Sequence, residues 1–189
     1  MAARMALIMA LCGTPLAANP PPLPFDLGGP FALTDQYGET RTAADPDGHA
    51  QLLFFGYANC QNICSAALPT MAGVVDSLAQ EGITVTPVMI TVAPDQDRVE
   101  TMGAPLGAIH PDFIGLTGTP QELQVAYDAF AVEVEPLFHD PEYGWIYSHG
   151  SFVHMLNGDG DMLTLLPPVL SVDQTTDILR GYLSGPDAS

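Results

Sequence analysis

The chain predicts a single α/β domain in which a mixed central β-sheet is flanked by helices on both faces. The run Leu52 to Tyr57 is apolar at consecutive positions, the pattern of a strand covered on both sides. Apolar residues after Cys64 (Ala67, Leu68, Met71, Val74, Val75 and Leu78) then recur at i, i+3, i+4 and i+7, the spacing of a helix lying on a core. Strand-like and helix-like stretches alternate onward until Asn157-Gly158-Asp159-Gly160, a hairpin signal between two apolar runs. At 189 residues the chain has the length of one domain with a sizeable core.

Each element has its own signal. Residues 1–18, with Arg4, the apolar run Met5 to Leu11, small residues and Pro15, have the layout of a secretory signal segment, which predicts an exported, periplasmic protein. Residues 19–24 form a Pro-rich linker, and the folded domain is expected over 25–185. Phe31 to Thr34 followed by Asp35 to Thr40 predicts a short N-terminal hairpin at one sheet edge. After the central strand and its helix, Gly82 is the helix stop, and Ile83 to Val92 is a second strand whose Pro87 implies a bulge or an edge contact. Asp97 to Leu106 reads as a short helix, Phe113 to Leu116 as a third strand, and Glu135 to Trp145 as a long loop. Thr119-Pro120-Gln121-Glu122 is a capping box with proline at the first helical position, opening a helix to about Phe130. Ser151 to Leu156 and Asp161 to Leu166 form the late hairpin, and Ser171 caps a last helix to about Leu183. Crossover helices make the first pairings parallel and the terminal hairpin antiparallel. With a cysteine pair at a strand-to-helix turn, this is a thioredoxin-like architecture.

Composition narrows the partners. There is no lysine, the positive residues are Arg4, Arg41, Arg98 and Arg180, and 22 acids bring the formal charge to -18. Such a surface repels nucleic acid and anionic lipid. The apolar run near the N-terminus is far below the ~20 residues that cross a bilayer.

The chemistry concentrates at Cys60 and Cys64, which follow the central strand at the start of the next helix. That junction is where an α/β sheet binds ligands and where free backbone N–H groups favour a thiolate. Cysteines four apart on a first helical turn have Cα atoms about 6 Å apart, within reach of a disulfide. The pair can therefore oxidise or hold a soft ion, copper(I), or zinc if two more ligands arrive. A third ligand discriminates. Of the histidines 49, 110, 139, 149 and 154, His149 stands out because Tyr147-Ser148-His149-Gly150 is a loop just before a strand. His154 lies within that apolar strand and reads as a hydrogen-bonded structural residue, His139 lies in the long loop and could visit the site, and His49 and His110 read as structural or surface residues.

Four segments give the chain a specific resemblance: Phe31 to Gly38, the strand with Cys60-x-x-x-Cys64, His110-Pro111-Asp112-Phe113-Ile114-Gly115-Leu116-Thr117-Gly118-Thr119-Pro120, and Ser148-His149-Gly150-Ser151. In these the sequence resembles the Sco/SenC family of thioredoxin-like copper proteins. The resemblance implies a mononuclear copper site of Cys60, Cys64 and His149. It also implies a role in assembling the copper centre of cytochrome c oxidase, by delivering copper or by reducing the acceptor's cysteines. Partners would be the copper-bearing oxidase subunit or another copper chaperone, and a thioredoxin-like reductant. Gln61 and Ser65 stand where the family has proline after each cysteine, and Ala93 stands for the aspartate of its Asp-Pro turn. A different class of function uses the same pair: a thiol-disulfide oxidoreductase with Cys60 as nucleophile and Cys64 as resolving thiol. A third is a redox or copper sensor.

Overall fold

A computed structural model of the protein describes residues 26–58 and 64–184. The expected signal segment, the Pro-rich stretch and Cys60 lie outside the described residues. Among those described, no helix is long and apolar enough to cross a membrane.

The sheet has seven strands. The N-terminal hairpin is β1 (Ala32–Asp35) and β2 (Thr40–Thr42), followed by β3 (Ala50–Gly56), β4 (Val85–Thr91), β5 (Ile114–Thr117), β8 (Val153–Leu156) and β9 (Met162–Leu166). A separate two-stranded ribbon, β6 (Glu135–Asp140) and β7 (Gly144–Ser148), comes between β5 and β8 in the chain. The order across the main sheet is β2-β1-β5-β4-β3-β8-β9, so the hairpin lies at one edge as its alternation predicts. The pairings β3–β4 and β4–β5 are parallel; β1–β5, β3–β8 and β8–β9 are antiparallel. Every residue of β3 is buried, which accounts for its continuous apolar run.

Of the bulge or edge contact expected at Pro87 the structure has the second, since β4 carries it inside an unshifted register opposite Leu52. There is no bulge. β5 pairs with β4 only from Val88 onward, so at Pro87 one side of the strand is open and a missing N–H forfeits no ladder bond there.

The helices are α1 (Cys64–Ala79), α2 (Val99–Ile109), α3 (Pro120–Ala129) and α4 (Val172–Leu183). The predicted second helix thus begins two residues later and ends three later than the sequence pattern implies. The α3 capping box is complete: the Glu122 N–H donates to Thr119 Oγ1 and the Thr119 N–H to Glu122 Oε2 (2.8 Å). Ser171 and Gln174 cap α4 in the same way. Where α1 crosses α4, a Cβ on Gly73 would lie 2.9 Å from Val172 Cγ2, so glycine sets the approach of the two helices.

Two helices end in one motif with different residues. In α1 the Ile83 N–H reaches Leu78 O, the Gly82 N–H reaches Ala79 O, and Gly82 has φ +79°. At the end of α3 the Val132 N–H reaches Tyr127 O and the Ala131 N–H reaches Asp128 O, but the left-handed position, φ 51°, belongs to Ala131.

Residues 135–148 depart furthest from the sequence reading. Instead of a loop they form the ribbon β6–β7, with Phe138 opposite Ile146 and His139 opposite Trp145. The ribbon is solvated on most positions, with only Ile146 of its side chains buried.

Candidate metal centre

The site is built on the carboxyl end of β3. Phe54 and Tyr57 are buried there, the chain continues through Ala58 toward Cys60, and α1 resumes at Cys64. Cys64 is therefore the first residue of α1, and no acid occupies that helix's first turn.

β8 runs antiparallel to β3 with Leu53 opposite His154. This pairing leads the segment before β8 toward the carboxyl end of β3. The His149 side chain follows suit. Its ring meets Phe54 edge-on with centroids 5.9 Å apart and Tyr57 edge-on at 6.1 Å. Tyr57 also meets Tyr147 of β7 at 6.5 Å, so the ribbon's last turn is packed onto the strand end. His149 Nδ1 lies 2.9 Å from the Gly150 carbonyl oxygen. A carbonyl only accepts, so the neutral ring carries its proton on Nδ1 and its lone pair on Nε2, the tautomer in which backbone-oriented histidines ligate metals. The imidazole is half-buried.

Beneath the strand end is a carboxylate that sequence reasoning passed over. Asp97 is 2 % exposed, and its Oδ2 accepts from the Ala58 N–H (3.0 Å) and the Thr91 hydroxyl (2.8 Å). The Thr117 hydroxyl donates to the Asp97 carbonyl at 2.8 Å, tying β5 to the same corner. Ala93 carries no carboxylate in the turn after β4, yet the corner keeps a buried one from Asp97, four residues on. Tyr127 closes the far side by donating its hydroxyl to the Thr91 carbonyl (2.7 Å); burial, with Tyr147 second, holds that phenol well above its ordinary range.

The other histidines are elsewhere. His154 is 4 % exposed, with its ring edge-on to Phe55 (5.5 Å) and Phe130 (5.3 Å). Burial pushes its pKa down to about 4 against a raising hydrogen bond to the Leu53 backbone, and its Nδ1 has no hydrogen-bond partner. Structural placement is as expected, but one of its nitrogens is not hydrogen-bonded. His110 Nε2 lies 3.2 Å from Asp76 Oδ1. His139 is exposed on β6, edge-on to Trp145 at 5.5 Å. His49 sits with Asp45 and Asp47, whose ligand atoms lie within 4.8 Å of one another. In that group Asp45 already accepts from the Asp47 and His49 N–H groups and from the Thr86 hydroxyl, and Arg41 is 3.7 Å away. It fastens the loop before β3.

The SCO1/SenC family model matches residues 20–184. The chain belongs to the SCO1/SenC family. It is 33% identical over 135 residues to the SCO2-like protein RP587 of Rickettsia prowazekii, covering 71% of this chain and 66% of that protein. It is 33% identical over 141 residues to the mitochondrial SCO1 homolog of Homo sapiens, covering 72% of this chain and 46% of that protein. The chain thus spans just under two thirds of the rickettsial relative and under half of the human one. Arabidopsis thaliana ScoI with copper bound superposes with a TM-score of 0.78 at 25% identity, covering 84% of this chain and 98% of that one. The fold of this Sco/SenC chain is thioredoxin-like, a mixed sheet flanked by helices, with the β6–β7 ribbon delivering the chain to His149.

Proposed function

We propose that this Sco/SenC protein is a copper metallochaperone, exported to the periplasm, that carries one copper ion on the thiolates of Cys60 and Cys64 and on His149 Nε2. The observation that carries the reading is the placement of His149. Its ring is held at the end of β3 by Phe54 and Tyr57, and the Gly150 carbonyl fixes the tautomer that leaves a lone pair on Nε2. The donor set fits the cargo: two soft thiolates suit copper(I), and an imidazole adds affinity for copper(II). The functional unit is residues 25–185. The relative ScoI of Arabidopsis thaliana, with copper bound, supports the same cargo here. Family membership supports delivery to the copper-bearing subunit of cytochrome c oxidase.

Three ligands leave one side of the ion open to an incoming thiolate or imidazole of the acceptor, so transfer needs no prior dissociation. Oxidation of Cys60 and Cys64 to a disulfide removes both thiolates and two electrons. A thioredoxin-like dithiol returns those electrons and is itself oxidised.

The test is copper(I) and copper(II) titration of the reduced protein beside H149A and C60S. Wild type is expected to bind one equivalent of either ion. H149A should keep copper(I) and lose copper(II) affinity by about tenfold or more, since losing even an outer partner of a ligand costs about 10–100-fold, and C60S should lose both. Binding indifferent to His149 removes it from the site. No copper uptake together with rapid turnover of a disulfide substrate makes the protein a thiol-disulfide oxidoreductase instead.

A further inference from the structure

A groove of about 510 Å³ runs between α3 and β6 beside the candidate copper site. Its floor is apolar, with Leu123, Val132, Val134 and Tyr147, and its rim carries Asp128, Glu133 and Glu135. No cation lines it. Tyr147 joins it to the site, since its ring meets Tyr57 at 6.5 Å and His149 is two residues further on. β6 starts at the groove with Glu135 and, among the described residues, pairs only with β7, so its other edge carries no strand partner. Beyond the groove the ribbon exposes Leu137 at 58 %, Phe138 at 56 % and Trp145 at 45 %, together with Glu142. An open strand edge, an apolar floor and a rim of one sign belong to a surface that takes an extended chain of the opposite sign.

We infer that this groove docks an extended, lysine- or arginine-bearing segment of the protein that exchanges copper with this one. The inference rests on the copper reading for the partner's identity and on the groove's own chemistry for its charge. A second copy of this chain is excluded as the occupant by its formal charge of -18 and its lack of lysine. The arrangement holds the partner's backbone along β6 while its copper ligands reach the end of β3. It also sets the encounter rate, because opposite charge steers association and salt screens it.

The probe is a capped decapeptide of alternating lysine and valine, with an alternating glutamate and valine decapeptide as control. Trp145, the chain's single tryptophan, reports occupancy through its fluorescence. The lysine peptide is expected to bind and the glutamate peptide not to. E133Q/E135Q should weaken lysine-peptide binding by about fivefold or more, the effect of two half-screened ion pairs. E39Q/D173N, which removes two exposed acids from other faces, should change it less than about twofold. Equal losses in the two double variants, no loss in E133Q/E135Q, or no preference for the lysine peptide would overturn the inference. Copper uptake by the wild-type protein is read alongside. In wild type, no preference for the lysine peptide with copper uptake intact removes the groove alone; no copper uptake with that preference intact removes the copper reading and leaves the groove.

Discussion

Lowering the pH should destabilise this protein through His154 before the bulk of its carboxylates titrate. The ring is almost fully buried between Phe55 and Phe130, and its pKa falls from 6.5 to about 4 because burial penalises the charged form. A histidine whose folded pKa is depressed contributes stability that is complete above the unfolded value and lost as pH falls toward the folded one. Between pH 6.5 and 4 the unfolded chain therefore binds a proton that the folded chain refuses. Full passage through that window costs about 3 kcal/mol at 1.36 kcal/mol per unit, and about 2 kcal/mol is already lost between pH 7.5 and 5.0. Urea unfolding of wild type and His154→Leu at pH 7.5 and 5.0 isolates this contribution. Leucine keeps an apolar side chain of similar reach and removes the unpartnered Nδ1. Wild type should lose about 2 kcal/mol more than the variant over that interval. Parallel losses would refute the reasoning, because the pH dependence would then belong to groups common to both proteins.

Two further outcomes follow from the backbone and from Asp97. Ala131→Gly should raise stability by about 1 kcal/mol, since the left-handed position it occupies costs an L-residue about that much and Gly82 fills the same place after α1; an unchanged urea midpoint would show that φ 51° carries no penalty there. Asp97→Ala should cost about 2–5 kcal/mol by stranding the Ala58 N–H and the Thr91 hydroxyl, while Asp97→Asn should restore most of it, because one oxygen accepts both bonds. Urea midpoints that fail to separate the two variants would mean that the donors find other acceptors.

Much of the fold was legible because local and tertiary signals agree. The capping box at Thr119 and the cap at Ser171 are local signals, and both helices start where they say. The turn Asn157 to Gly160 needs only four residues, and its Asn157 N–H closes on the Asp161 carbonyl. The ribbon β6–β7 was not legible for a physical reason. Period-two patterning arises when one face of a strand is buried, and here Leu137, Phe138, His139 and Trp145 are all solvated, so apolar and polar residues follow no alternation. Asp97 escaped notice for the complementary reason. Asp97 reads locally as the start of a helix, whereas its role depends on Ala58, Thr91 and Thr117, which only the assembled sheet brings within hydrogen-bond range.

The choice among histidines tests how far strand periodicity can carry a site assignment. His149 and His154 are five residues apart, an odd number, so an uninterrupted strand would send them to opposite faces. β8 begins only at Val153, so the ring contacts decide: His149 meets Phe54 and, beyond the end of β3, Tyr57, whereas His154 meets Phe55. One histidine therefore stands at the carboxyl end of β3, while the other is enclosed with Phe130 and held neutral down to about pH 4. Neutrality alone would make His154 the better metal ligand at low pH. Position decides against it, because His154 pairs with Leu53 in the middle of β3, whereas His149 meets Tyr57 just beyond that strand's carboxyl end. Contacts at the strand's end, not the parity of a five-residue spacing, thus separate a candidate ligand from a core residue of the same type, because the strand on which parity would be counted starts only at Val153.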